Sequence, residues 1–266
     1  MGEKINLRHA LAITIKDLKD TFSSIAIYGP MIGIPVFFAI ILPIFTIYIS
    51  QFSSGSVISR ILGYSAVTSG PTLADKFLFI KYFAQNILGP IFLTMPIITA
   101  TVIAADSFSG EKERRTAESL LTSPASNMEL LIGKILASLI PAVLLTVAVF
   151  VIYAAITNYM TISEFSTAIF PNGMWYAMLA NSPFLALTTI GMVVLISSRV
   201  KDIKEAQQIS SVLVLPILIV PFVSVFNIAK VDTAFLLYMM AFLICCSIAL
   251  LFLAIRLFNR EGFISS

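Results

Sequence analysis

Charge is what this chain has least of. Only 12% of its 266 residues are Asp, Glu, Lys or Arg, about half the share of an ordinary soluble domain. The deficit falls in blocks. Charge-free stretches cover 21–59, 61–74, 82–105, 135–163, 165–198, 206–229 and 233–255. A helix needs ~20 apolar residues to cross ~30 Å of hydrocarbon, and six of the seven stretches are that long. The exception, 61–74, is short, rich in Gly, Ser and Pro, and reads as loop. A soluble fold is excluded, because six buried stretches would leave no polar shell to cover them.

Other absences narrow the chemistry. There is one histidine, His9, and it precedes the first stretch. None of the six stretches contains Asp, Glu, Lys, Arg or His. Proton- and ion-coupled carriers place such groups in the membrane, so a proton-driven antiporter is disfavoured, although backbone carbonyls could still hold Na⁺. Intramembrane metalloproteases and serine hydrolases are disfavoured too, since they need ligands or a basic partner at depth. A phosphate-cradling loop would read G-x-x-x-x-G-K-[ST]. Gly133-Lys134-Ile135 lacks the earlier Gly and the Ser or Thr, and Gly110-Glu111-Lys112 also fails. No catalytic residue, metal site or cofactor is expected, and energy for vectorial work must come from another subunit. The two cysteines, Cys245 and Cys246, are adjacent inside the last stretch and read as small apolar filler rather than as a redox or metal pair. No cleavable signal peptide is expected, because twenty mixed-charge residues come before the first apolar run.

What is present is an all-α membrane protein with six predicted spans. They lie near Gly29–Ser50, Gln85–Ala105, Ile135–Thr157, Trp175–Ser197, Ile209–Ala229 and Thr233–Ile255. Thirteen of the seventeen Lys and Arg residues fall in the N-terminal segment, the segments between spans two and three and between four and five, and the tail. That side is expected to be cytoplasmic, with both termini there and the chain multi-pass in the plasma membrane. The net charge of +3 then reflects topology and gives no case for nucleic-acid binding. The longest outer loop runs from Gln51 to Ile80, the next from Asn158 to Met174. A single permease-type domain, 1–266, is expected, with no soluble domain. Prolines punctuate most spans: Pro30, Pro35, Pro43, Pro90, Pro96, Pro141, Pro183, Pro216 and Pro221. Freed backbone groups in lipid must find partners in neighbouring helices, so a packed bundle follows, with hinges and static kinks both open readings.

Residues 3–22 precede the first span. Leu7, Leu11, Ile15, Leu18 and Phe22 share an arc of about 80° on a helical wheel, away from Lys16, Asp17, Lys19 and Asp20. The segment is expected to be an amphipathic helix in the cytoplasmic interface.

The cytoplasmic segment 106–134 reads DSFSGEKERRTAESLLTSPASNMELLIGK. Glu111–Leu121 has no helix breaker, and Thr122-Ser123-Pro124 ends it. Ser126 and Glu129 form a capping box, from which a helix continues into the third span. The run Glu111–Lys134 resembles the cytoplasmic signature of type-2 ABC transporter permeases, roughly E-x-x-x-G-T-x-E-x-L-L-x-[ST]-P followed by a polar-acidic helix start and G-K. Glu111, Thr116, Glu118, Leu120, Leu121, Ser123, Pro124, Glu129, Gly133 and Lys134 match by position, and Arg115 stands where Gly is usual.

The resemblance implies that this segment is a coupling helix docking on a separate ABC ATP-binding subunit. The contact would involve Glu111, Glu113, Arg115, Thr116, Glu118, Leu120, Leu121, Ser123 and Pro124. It also implies a second permease subunit, identical or not, and ATP-driven export. Spans without charge suit a hydrophobic or amphipathic cargo such as a drug, lipid or peptide, while some relatives are assigned to Na⁺. Thr94, Thr99, Thr101, Asn181, Ser210 and Ser211 are the polar groups to inspect along the path, each also explicable as helix–helix hydrogen bonding. The competing readings are a stand-alone secondary transporter or channel and a non-transporting membrane scaffold.

Overall fold

The computed structural model describes residues 6–23, 25–52, 58, 71–113, 125–197, 199–200, 202–213, 216, 219 and 232–257. The elements in order are α1 (Leu7–Ser23), α2 (Ile25–Phe52), α3 (Leu73–Phe83), a π-helical turn (Ala84–Leu88), α4 (Gly89–Phe92), α5 (Thr94–Glu113), α6 (Asn127–Phe165), α7 (Gly173–Ser197), α8 (Ile203–Ser210), a 3-10 turn (Ser211–Leu213) and α9 (Thr233–Leu257). No strand occurs among the described residues. Five helical stretches are long and apolar enough to cross a membrane: Met31–Phe52, Leu73–Gly110, Asn127–Phe165, Gly173–Ser197 and Thr233–Arg256. They coincide with expected spans one, two, three, four and six. The expected fifth span, Ile209–Ala229, lies mostly outside the described residues.

Three boundaries differ from expectation, one being the outer segment expected from Asn158, where α6 stays helical to Phe165. The outer loop expected over Gln51–Ile80 gives way to helix at Leu73, where Thr72 and Asp75 form a capping box. The helix leading into the second span therefore begins about three turns before Gln85, despite Asp75, Lys76 and Lys81. Asp75 and Lys76 lie half-buried in the first turn and Lys81 is exposed in the last, while buried Phe79 and Ile80 supply the packing. At the other end, α5 continues unbroken through Glu113. Glu111 and Glu113 thus form the last described turn of α5, beyond the membrane-length stretch that ends at Gly110.

Proline placement explains the one irregular span. Pro90 has no N–H to donate, and the turn preceding it, Ala84–Leu88, relaxes to π geometry. A second interruption at Leu93 stands three residues before Pro96. The buried Tyr153 of α6 donates its hydroxyl to the Ala84 carbonyl at 3.2 Å, giving the π turn an interhelical partner of the kind hydrocarbon requires. Pro141 and Pro183, by contrast, sit inside helices that run through them.

The bundle core has two parts. One is aromatic: Phe92 lies 4.5 Å from Tyr153 and 5.7 Å from Phe150, and Tyr153 lies 5.5 Å from Phe170, ring centre to ring centre. The other is built from small and β-branched residues, with Ala100, Ala104 and Ala105 of α5 meeting Ala142 of α6 and Ala186, Ile190 and Val193 of α7. Small side chains let helix axes approach, the main source of association where lipid is as apolar as leucine. α7 is central, packing on α5, α6 and α9. At the α7–α9 contact, a side chain on Gly191 would meet Leu250 Cβ at 2.9 Å, and Asn181 Nδ2 donates to the Leu236 carbonyl at 3.1 Å.

These two features predict an order of effects. Gly191→Val should destabilise by about 1–3 kcal/mol through overpacking. Asn181→Leu should cost ~0.6 kcal/mol, the usual worth of an interhelical hydrogen bond in a membrane protein. Unfolding of the purified protein in mixed micelles of increasing SDS content measures both. The reverse order would mean that the hydrogen bond, not close approach, holds α9 to the bundle.

Candidate functional site

Two described helix ends flank the segment identified in the sequence. One is the end of α5 at Glu113. The other is the start of α6, where the Ser126 hydroxyl accepts from the Glu129 N–H at 3.2 Å and the Glu129 carboxylate accepts from the Ser126 N–H at 2.9 Å. This is the capping box expected from the sequence. Of the residues expected to meet an ATP-binding partner, the backbones of Glu111 and Glu113 are placed, at the last turn of α5. Arg115, Thr116, Glu118, Leu120, Leu121, Ser123 and Pro124 lie outside the described residues.

Around those supports the structure assembles a polar cluster that sequence reasoning missed. α1 lies against the N-terminal part of α6. Its contact stripe is Ala10, Thr14, Asp17 and Thr21, all buried. Gly133 makes this possible: a Cβ there would lie 2.9 Å from the Ala10 carbonyl and from Ile13 Cβ. The Thr14 hydroxyl bonds both the Ala10 and the Gly133 carbonyls, at 2.9 and 3.0 Å. One residue on, Lys134 is 1% exposed. Its ammonium donates to the Ser107 carbonyl, sits 3.3 Å from the Ser107 hydroxyl, and lies 3.6 Å from the Asp17 carboxylate. It is also 5.3 Å from the Phe108 ring centre. Ser107 in turn donates to Asp17 at 2.7 Å. One ammonium thus ties α1, α5 and α6 together.

A second tie involves Glu129, which stands ahead of the charge-free stretch that starts at Ile135. Besides capping its own helix, Glu129 accepts from the Asn6 N–H at 2.6 Å, and His9 Nδ1 is 3.3 Å away. The Asn6 N–H, then the Ser126 N–H, hold its carboxyl below the ordinary carboxylate range. The stabilisation is therefore complete above that range and is lost as pH falls through the lowered value. On the far side of α5, Ser109 donates to Ser197 of α7 at 2.9 Å, and α8 packs on both α5 and α7.

The expected apolar arc of α1 turns out to be its outer surface. Leu7, Leu11, Ile15 and Phe22 are exposed, Ile15 by 65%, while a different, small and polar stripe meets the bundle. Four exposed large apolar groups beside a membrane-spanning bundle suit an interfacial position. Lys134, counted in the sequence as a cytoplasmic surface charge, is instead interior. The signal available was the Gly133-Lys134 dipeptide, which needed Asp17 beside it to be read.

The pathway candidates differ in their hydrogen bonding. The Thr94 hydroxyl donates to the Ile91 carbonyl in α4, and the Ser211 hydroxyl donates to the Gln207 carbonyl. The hydroxyls of Thr99, Thr101 and Ser210, and Asn181 Oδ1, are buried with no hydrogen-bond partner among the described residues. They are distributed over α5, α7 and α8.

The buried pair yields a quantitative expectation. Removing one member of a buried ion pair costs on the order of 3–5 kcal/mol, whereas replacing both with apolar groups is often near neutral. Lys134→Met alone should therefore destabilise strongly, and Asp17→Leu with Lys134→Met should recover much of the loss. Thermal unfolding of the two single variants and the double variant in detergent measures the coupling. Additive losses would mean that the two side chains contribute independently.

Comparison with known proteins agrees with this architecture. No individual curated protein matches the chain. Residues 11–243, by far the greater part of the sequence, match the family model described as ABC-2 family transporter protein. With an all-helical bundle and five membrane-length apolar helices among its described residues, the chain is a membrane protein belonging to the ABC-2 transporter family.

Proposed function

We propose that this chain is the permease subunit of an ATP-driven exporter and that 111–124 is its docking element for a separate ATP-binding subunit. A single membrane domain, 1–266, would carry this role, with the segments 1–22, 106–134 and 199–205 and the C-terminus in the cytoplasm. The observation that carries the proposal is the rigid base beneath the segment. α5 and α6 flank it, and α1 is keyed into both through Asp17, Ser107, Gly133 and Lys134. A push on 111–124 would then reach three helices together.

ATP-driven closure of a partner dimer would supply that push and tilt the spans of two permease subunits. The permease itself binds no nucleotide in this scheme. Its spans suit a hydrophobic or amphipathic cargo, a drug, lipid or peptide, in preference to Na⁺.

Docking predicts a contrast between the apolar end of the segment and its rim. A buried Leu contributes ~1.5–3 kcal/mol and interface hot spots lie at desolvated centres, whereas exposed ion pairs are worth ~0–1 kcal/mol. Leu121→Asp should abolish transport and weaken copurification of the ATP-binding subunit while the permease still inserts. Lys112→Ala should change either by little. Pull-down and transport, normalised to membrane expression, measure both. Normal transport by Leu121→Asp together with failure of Lys112→Ala would refute the docking geometry.

Orientation is tested separately. In a background lacking Cys245 and Cys246, a cysteine at Ser56 should react with an impermeant thiol reagent in intact cells, and one at Ser123 should not. The opposite labelling would invert the topology.

A further inference from the structure

Among the described residues, four of the five membrane-length stretches are continuous helices, and the second span is composite. Between Phe83 and Thr94 it passes from α3 through the π turn Ala84–Leu88 and the single turn of α4 to α5. Two faults in the backbone hydrogen bonding coincide there. Pro90 has no N–H to donate, and the Leu93 N–H bonds the Pro90 carbonyl three residues back, at 3.1 Å. Prolines in other spans, such as Pro141 and Pro183, lie inside helices that run through them.

The two sides of this break are held differently. Toward Glu113, α5 is buried almost throughout from Thr94 to Gly110, and Ser107 anchors it in the Lys134 cluster. On the other side, α3 is a helix of 11 residues that closes its own ends. The Thr72 hydroxyl accepts from the Asp75 N–H at 3.2 Å, and the Asp75 carboxylate accepts from the Thr72 N–H at 2.9 Å. At its far end the Ala84 N–H bonds the Ile80 and Lys81 carbonyls. α3 buries Phe79 and Ile80, and Phe77 meets Phe165 of α6 at 5.7 Å between ring centres. Leu73 and Leu78 are exposed. Such a unit can be displaced whole without opening its own hydrogen bonds.

The junction depends on one carbonyl. Ala84 accepts from the Gly89 N–H, which closes the π turn, and from the Tyr153 hydroxyl of α6 at 3.2 Å. When Tyr153 lets go, the carbonyl still has Gly89, so this backbone group is not orphaned in hydrocarbon. Gly89 itself abuts the end of a flexible side chain: a Cβ there would lie 2.7 Å from Met178 Sδ and Cε. Hinges absorb their dihedral change in a few residues at the ends of elements, and 84–93 is a run of such residues. We propose that 84–93 is a hinge about which α3 swings as a rigid arm, and that the Tyr153–Ala84 hydrogen bond is its latch. The proposal rests on the geometry of the second span and holds whatever the energy source of the protein.

The test uses the full chain with Cys245→Ala and Cys246→Ala, reconstituted in lipid vesicles and spin-labelled at introduced cysteines. One pair, Ala74→Cys with Tyr159→Cys, spans α3 and α6. The reference pair, Tyr48→Cys with Tyr159→Cys, spans α2 and α6, whose ends are joined by Gln51 and Glu164 at 2.9 Å. All three labelled positions are exposed. Double electron–electron resonance should show two distances for the α3 pair and one narrow distance for the reference. Tyr153→Phe removes one interhelical hydrogen bond and should raise the minor α3 component about threefold, with the reference unchanged. Phe77→Ala, which loosens the arm without altering the buried core, should act in the same direction. A single α3 distance as narrow as the reference, or a distribution that Tyr153→Phe leaves unchanged, would overturn the proposal. Equal broadening of both pairs would overturn it too, because the bundle rather than the arm would then be moving.

Discussion

One end of the helix bundle, where α1, α5 and α6 meet, is organised by one ammonium group. Lys134 cannot reach water, so its charge must be met within the protein. Asp17, Ser107 and the Phe108 ring meet it, and they come from two other helices. That requirement fixes where α1 lies and how α5 and α6 emerge from the bundle. Glycine at 133 is the steric counterpart, since α1 could not come close enough with a side chain there. The capping box of Ser126 and Glu129 then sets where α6 begins, and Glu129 reaches across to Asn6 at the head of α1.

The two parts of the core solve different problems. Where Pro90 disturbs the second span, large aromatic side chains fill the space around a relaxed turn, and Tyr153 supplies a hydroxyl to its backbone. Where the helices must run close together, alanines and β-branched residues let them touch along their length. The first arrangement tolerates irregular backbone because bulky rings surround the relaxed turn and the Tyr153 hydroxyl bonds its Ala84 carbonyl. The second gives a stiff base, on which a force applied to the cytoplasmic segment would move helices rather than bend side chains.

Much of the fold was legible in the sequence because hydrocarbon imposes simple rules. Charge-free stretches of sufficient length mark the spans, and five of the six expected coincide with membrane-length helices. The capping box at Ser126 was equally legible, since it depends on two residues three positions apart. The start of the second span was not. Asp75, Lys76 and Lys81 made it look like loop, and only packing of Phe79 and Ile80 against neighbouring helices shows that the helix extends beyond the apolar stretch. The expected contact residues for an ATP-binding partner, from Arg115 to Pro124, were read from pattern resemblance, and the structure places the supports on either side of them.

What the sequence determined alone is the class of protein and the spacing of its helices, because burial in lipid depends on local composition. It also determined that α1 is amphipathic. What only the tertiary structure decided is which face of α1 meets the bundle. A wheel diagram favours the Leu7–Phe22 arc as the buried face of any soluble helix. Here that arc is left outside, and Ala10, Thr14, Asp17 and Thr21 turn inward. The reason is that a buried lysine and a missing side chain, more than a hundred residues away in sequence, provide a partner and a space that fit those four residues. Lipid can serve the apolar arc, whereas Asp17 needs the charged and polar partners that Lys134 and Ser107 supply.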